Sequence, residues 1–331
     1  MKRALVLFTI LAAGCDTSQP EVTVYVSLDE MFSRPVLERF EAESGIRVLA
    51  KTDPEASKTV GLVNKLLAMK DRPEADVYWN NEPLRALVLK RAGLLEPIEP
   101  PDAADIPAIF RDPDGSWFGI AARARVILYN TELVAESEAP RSLWDFTRPE
   151  WKGRFAIADP LFGSTSTHVA ALCATIGVEA TEALLAAWKE NGAVVVAGNS
   201  VARNMVMEGQ IAACLTDTDD ANEAIELGKP VRMVYPDQDG IGTLVFPNTI
   251  LLIRGGPNPE NGRKLVEFLA GREVESELAR SRSAQMPVRE GIPPHGPEFD
   301  LSRIRAMEVD YEKAAALLER SGAFVEGLFH R

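Results

Sequence analysis

A chain of 331 residues and 36.2 kDa exceeds one compact core and fits two domains at roughly 150 residues each. With 46% hydrophobic and 26% charged residues and a mean hydropathy of −0.07, it is excluded from the disordered and fibrous classes. Its 36 basic residues face 49 acidic ones, and a net charge of −13 excludes general binding to phosphate backbones; no apolar run reaches the ~18 residues of a membrane span.

The N-terminus reads as an address. Lys2 and Arg3 precede an apolar run over 4–13, followed by Gly14 and Cys15. A basic start, a short apolar stretch and a small-residue junction describe a secretory signal over 1–14. The segment over 11–15, LAAGC, resembles a bacterial lipobox, which implies lipidation of Cys15 and a tether over 15–21. The alternative is a plain signal peptide in which Cys15 has no role. Cleavage removes Lys2 and Arg3, leaving 34 basic residues against 49 acidic ones, a net charge of −15.

The mature chain then alternates strands with helices. Residues 22–26 (VTVYV) form a buried strand, and the loop 27–30 leads to a helix starting near Pro35 with Val36, Leu37 and Phe40 inward. A second strand covers 46–49, and Val60, Val63 and Leu67 give 59–70 a helical apolar face. A third strand over 75–79 precedes Asn80, Asn81 and Glu82, then a helix from Pro83 to Gly93. Residues 123–130 are extended and open a second set of units. A strand over 155–158 precedes the loop 159–166 and a helix from about Thr167. A strand over 193–197 runs to a cap at 198–200 and a helix with Val201 and Met205 inward. A strand over 211–215 runs to the acidic loop 216–220 and another helix. Strands follow over 231–235, 242–246 and 249–253, then helices from Glu260, Glu273 and Leu301. This alternation predicts an α/β protein of two doubly wound Rossmann-like lobes joined by a hinge. Lobe 1 is expected over 21–122 plus 248–300, lobe 2 over 123–247, and C-terminal helices over 301–331. Cys173 and Cys214 either pair or stay as buried free thiols. Two mature cysteines and three scattered histidines exclude a Cys/His zinc centre.

Open α/β sheets bind ligands outside the carboxyl ends of their strands. Four strand-to-helix loops are unusually polar. They carry Asp29 and Glu30; Asn80, Asn81 and Glu82; Gly163, Ser164, Thr165 and Ser166; and Asp217, Asp219 and Asp220. Helix capping explains any one of them taken singly. Together they predict a site. The helix start at Gly163, Ser164 and Thr165 suits an anion, with Arg123 and Arg125 adding a planar fork or forming an interlobe salt bridge. Asp29, Glu82, Asp217, Asp219 and Asp220 are hard oxygen donors that suit a hard metal or an ammonium group. Like charge crowded in a cleft is costly until a cation relieves it.

The sequence resembles the type 2 periplasmic solute-binding proteins of ABC transporters, most closely the ferric-iron-binding branch. The carriers are FEAESGIRV over 40–48, DVYWNNE over 76–82, RARVILYN over 123–130, PLFGSTSTH over 160–168, GNSVARNMVMEGQIAACLTDTDDA over 198–221 and GTLVFPN over 242–248. The resemblance implies a cation held by a first-loop side chain, here Asp29, and a glutamate after the third strand, here Glu82. It implies an anion on Gly163, Ser164 and Thr165, with Asn199 nearby. The adjacent tyrosines of that branch are absent, and Asp217 to Asp220 stand in their place. Tyr129 is read as a hinge hydrogen-bonding residue, Trp79 as core or cleft wall, and His168 as a residue beside the hydroxyl loop.

The expected function is the substrate-binding component of an ABC importer. It would capture ferric iron, or another hard cation such as Ca²⁺, with a small anion between two lobes, without a catalytic cofactor. It would sit in the periplasm or on the cell surface, held to the membrane only by its lipid, and dock on an inner-membrane permease. The alternative in the same fold is an organic zwitterion or amine such as 2-aminoethylphosphonate or a polyamine. A secreted carboxylate- or metal-dependent hydrolase is a third reading, but the sequence has no G-x-S-x-G, HExxH, P-loop or GxGxxG motif.

Overall fold

The computed structural model describes residues 19–53 and 60–331. The signal segment over 1–14, Cys15 and most of the tether lie outside the described residues. In chain order the elements are β1 (Glu21–Val26), α1 (Glu30–Ser44), β2 (Arg47–Thr52), α2 (Val60–Ala68), β3 (Val77–Asn80), α3 (Leu84–Arg91) and β4 (Phe118–Asn130). Then come β5 (Phe155–Ala158), α4 (Gly163–Thr175), α5 (Val178–Glu190), β6 (Val194–Val196), α6 (Asn199–Met207), β7 (Ala213–Asp217) and α7 (Thr218–Glu226). The chain closes with β8 (Val231–Val234), β9 (Val245–Leu252), α8 (Pro259–Leu269), α9 (Arg272–Arg280) and α10 (Tyr311–Phe329).

Two parallel three-stranded units, β2-β1-β3 and β6-β5-β7, lie at opposite ends of one curled sheet. Between them run β9 and β4, antiparallel to their neighbours. The first half of β4 pairs with β9, and the second half, from Arg125 onward, pairs with β7 and β8. The fold is therefore the expected two-lobed α/β architecture, with β4 passing from one lobe into the other. One apolar cluster runs continuously from Val22 and Val77 through Val126 and Leu128 to Cys214 and Ala221. A second cluster, under the far lobe, stacks Phe146 on Phe155 at 4.5 Å with Trp151 and Trp188 edge-on to Phe146. Helix α10 packs on α3 and also on α4 and α5, and its Tyr311 hydroxyl donates to the Val245 carbonyl at 2.8 Å. Cys173 and Cys214 are buried free thiols.

Several boundaries move for physical reasons. Helix α1 begins at Glu30, so Pro35 lies inside it rather than opening it. Starting early adds buried Phe32 to the Val36 and Phe40 stripe. Helix α4 begins at Gly163, which places Ser164 and Thr165 in its first turn. Helix α6 buries Ala202 and Val206 and leaves Val201 exposed. The segment expected as two strands around Pro247 is the single strand β9. Proline is tolerated there because its partner Ala122 exchanges hydrogen bonds with Met286 instead. Leu301 opens only a short 3-10 turn, and the last helix starts at Tyr311, capped by the Asp310 side chain accepting from the Lys313 amide.

Gly119 of β4 lies where the backbone of 110 and the ring of Pro247 converge. A Cβ there would meet the Phe110 oxygen at 2.6 Å and the Pro247 Cγ at 2.8 Å. Gly119→Ala is therefore expected to cost about 1–3 kcal/mol through overpacking, measured as a lower urea midpoint. An unchanged midpoint would mean that the two strands separate there at no cost.

Candidate functional site

The cleft between the two parallel units holds a cavity of about 30 Å³. Asp29, Asn81, Arg123, Gly163, Ser164, Thr165, Asn199, Asp217, Asp219 and Asp220 all line it. These side chains come from strand ends and helix starts. Asp29 precedes α1, Asn81 follows β3, Asn199 opens α6, and Asp217 closes β7 and precedes α7. The N-termini of α1, α4, α6 and α7 thus converge on one space, and none of the four residues preceding these helices caps its helix through a side chain. Capping does not account for three of the four polar loops. Asp29, Gly163, Ser164, Thr165, Asp217, Asp219 and Asp220 of these loops line the cavity, at helix N-termini that favour negative charge.

The fourth loop behaves otherwise, and the expectation that Glu82 is a cation donor is corrected. Glu82 is fully buried and does not line the cavity. Its carboxylate accepts from the amides of Leu84 at 2.7 Å and Arg85 at 2.9 Å, at the start of α3, and from the Thr167 hydroxyl at 2.9 Å. Two backbone amides, a hydroxyl and the Asn80 side-chain amide at 3.4 Å occupy the group, so it holds α3 against α4.

The acidic wall is interleaved with guanidinium groups. Arg125 is fully buried, and its Nη1 donates to Asp217 Oδ1 at 2.6 Å, Ser164 Oγ at 3.0 Å and Asn199 Oδ1 at 3.1 Å. Its Nη2 donates to Thr165 Oγ1 at 3.3 Å. Arg123 donates through Nη1 to Asp219 at 3.1 Å and Asp217 at 3.3 Å, and through Nη2 to the Asn81 carbonyl at 2.6 Å. The Arg123 guanidinium also stands over the Phe246 ring at 5.1 Å. Both arginines therefore act in ion pairs, and Arg123 additionally presents itself to the cavity. Asp217 is a hub: it also accepts from Ser164 Oγ at 2.7 Å and Asn199 Nδ2 at 3.1 Å.

Asp217, Asp219 and Asp220 each offer an oxygen within 4.8 Å of the others, a spacing that one cation can bridge. Burial would raise the Asp217 pKa, but Arg125 and Arg123 hold it below the usual carboxylate range. Asp220 goes the other way. Burial pushes it well up, Asp219, Asp217 and Asp29 add to the push, and Arg203 opposes it. The same acids, overriding burial, push the Arg123 pKa up. Burial and the charge of Arg125 keep His168 neutral by lowering its pKa well below the ordinary value, and His168 does not line the cavity. Trp79 is core, fully buried on β3, and Tyr129 is buried on β4 opposite Ala213.

Sequence reasoning named Asn81 only as part of a polar loop and missed Arg203. Asn81 supplies the carbonyl that Arg123 grips, and Arg203 faces Asp220 at 3.5 Å and pairs with Glu223. The i, i+3 spacing of Asp220 and Glu223 on one helix was the available signal for a shared cation.

A model of the bacterial extracellular solute-binding protein family matches residues 86–303. The chain is 28% identical over 287 residues to "Iron uptake protein A1" of Synechocystis sp., covering 83% of this chain and 78% of that protein. It is 26% identical over 329 residues to the "Major ferric iron-binding protein" of Neisseria meningitidis serogroup B, covering 96% and 95%. The crystal structure of iron-bound HitA from Pseudomonas aeruginosa shares the fold with a TM-score of 0.83, at 24% identity over 92% of this chain and 99% of that one.

Proposed function

Because the chain belongs to the bacterial extracellular solute-binding protein family, we propose that it is the substrate-binding component of an ABC importer that captures ferric iron together with a small anion. The observation that carries this reading is the convergence of Asp29, Asp219 and Asp220 with helix N-termini that no preceding side chain caps, on one cavity of about 30 Å³. Carboxylates are hard donors for a hard cation. The amide-rich starts of α4 and α6, with Arg123, suit the oxyanion that completes its shell. The names of the two relatives, an iron uptake protein and a ferric iron-binding protein, support a capturing role over a catalytic one.

Segments 21–122 with 248–300, and 123–247, are the bodies that close over the ligand about β4 and β9. Closure excludes water and strengthens each charge contact. Lipidation at Cys15 would keep the chain at the membrane beside its permease; no helix of the described residues is long and apolar enough to cross a membrane itself.

A second reading is favoured by Arg123, the arginine that lines the cavity. A zwitterion such as 2-aminoethylphosphonate would set its phosphonate on Arg123 and the α4 amides and its ammonium among the aspartates. Thermal-shift titration of the purified chain with ferric citrate, Ca²⁺, 2-aminoethylphosphonate and spermidine, with elemental analysis, separates these readings. The expected result is one iron per chain and a melting shift with ferric citrate alone. At 100 times the dissociation constant, bound ligand stabilises by about 2.7 kcal/mol. Binding of 2-aminoethylphosphonate with no retained iron would overturn the first reading in favour of the second.

A further inference from the structure

Strand β4 does not pair regularly with β9. Ile120 is opposite Asn248, but Ala122 is opposite Pro247, so Ala121 is an extra residue in a β-bulge. Ala121 has φ 47°, a left-handed conformation that alanine adopts only when its surroundings impose it. The surroundings do so from three sides. Glu275 of α9 accepts from the Ala121 amide at 3.0 Å. The Asn248 side-chain amide donates to the Ala121 carbonyl at 2.6 Å and the Ile120 carbonyl at 3.3 Å. Ala122 and Met286 exchange backbone hydrogen bonds at 2.7 and 2.8 Å. All of these groups are buried, and Glu275 is anchored in turn by Arg289 at 2.7 Å.

The bulge lies two residues before Arg123 and four before Arg125. A strand alternates its faces, so a one-residue slip exchanges them. With the bulge, Arg123 is opposite Phe246 and reaches Asp217 and Asp219. Without it, Arg123 would be opposite Val245, and both guanidinium groups would turn away from the cleft. We propose that Asn248 and Glu275 are positioning residues for the ligand site, acting through the Ala121 bulge to fix the face on which Arg123 and Arg125 stand. This rests on the reading of the cleft as the ligand site. Neither residue lines the cavity. The two carbonyls facing Asn248 require a donor there, which an isosteric carboxylate cannot supply.

The test compares Asn248→Ala, Ala121→Gly and the double variant by amide hydrogen exchange and by ferric citrate titration. Asn248→Ala is expected to speed exchange at 122–125 while leaving α4 and α8 protected, and to weaken ferric citrate binding about 10- to 100-fold, as loss of an outer-shell partner does. Ala121→Gly alone should match the wild type. In the double variant it should restore part of both losses, because glycine takes positive φ without a Cβ clash, while the two carbonyls that lose the Asn248 donor account for the rest. A purely structural role for Asn248 would show no such rescue. Unchanged exchange at 122–125, or a double variant as impaired as Asn248→Ala, overturns the proposal. If the wild type binds no ferric citrate, the proposed ligand fails, while exchange and its rescue still decide the role of the bulge. Glu275→Ala, which removes the acceptor of the Ala121 amide, reads the same clamp from the amide side, with the same expected and contrary results, should Asn248→Ala not fold.

Discussion

Asp217→Ala is expected to destabilise the chain by about 3–5 kcal/mol, the cost of leaving a buried charge without its partner. Asp217 is 1% exposed and Arg125 not at all, and the carboxylate is the single counter-charge within ion-pairing distance of Arg125 among the described residues. Its loss also deprives Ser164 and Asn199 of an acceptor and removes one of the two acids that Arg123 grips. Asp217→Asn keeps the shape but not the charge and should fall between the two. Urea unfolding of the ligand-free variants measures this directly. A midpoint equal to that of the wild type would show that Arg125 is compensated elsewhere and that Asp217 is not the hub of the acidic wall.

Asp220→Asn is expected to separate ligand binding from folding. Asp220 is largely buried, crowded by Asp217, Asp219 and Asp29, and its carboxyl is pushed well above the ordinary range, so a neutral amide suits its ligand-free surroundings. The Thr216 hydroxyl can still donate to the side-chain oxygen, now at 3.2 Å. The ligand-free melting temperature should therefore stay the same or rise. Ferric binding should weaken at least about a hundredfold, since one charge pair at 4 Å is worth roughly 4 kcal/mol at an effective dielectric of 20. An unchanged ferric affinity would remove Asp220 from the cation's shell.

The order of strands, the polar strand-to-helix loops and the acidic run at 217–220 are legible in the sequence because each depends on local pattern. Apolar alternation places the strands, and hydroxyl, glycine and carboxylate residues mark the loops where strands hand over to helices. Glu82 shows where that reasoning stops. Its residue type suits a cation, yet the amides of Leu84 and Arg85 and the distant Thr167 hydroxyl engage it, and only the folded chain brings Thr167 there. The pairing of Arg123 and Arg125 with Asp217 is equally non-local, because it depends on β4 lying against β7. Pro247 read as a break between two strands, since proline removes a ladder donor. The bulge at Ala121 makes that donor unnecessary, and alternation in β4 alone carries no sign of an extra residue.

The most direct measurement is an anomalous difference map, collected at the iron edge, from crystals of the purified chain grown with ferric citrate. The account predicts one strong peak within coordinating distance of Asp219 and Asp220, with Asp29 closing from the opposite lobe and oxyanion density against the first turn of α4. A peak elsewhere on the surface, or a cleft filled by an organic ligand with no iron signal, would contradict it.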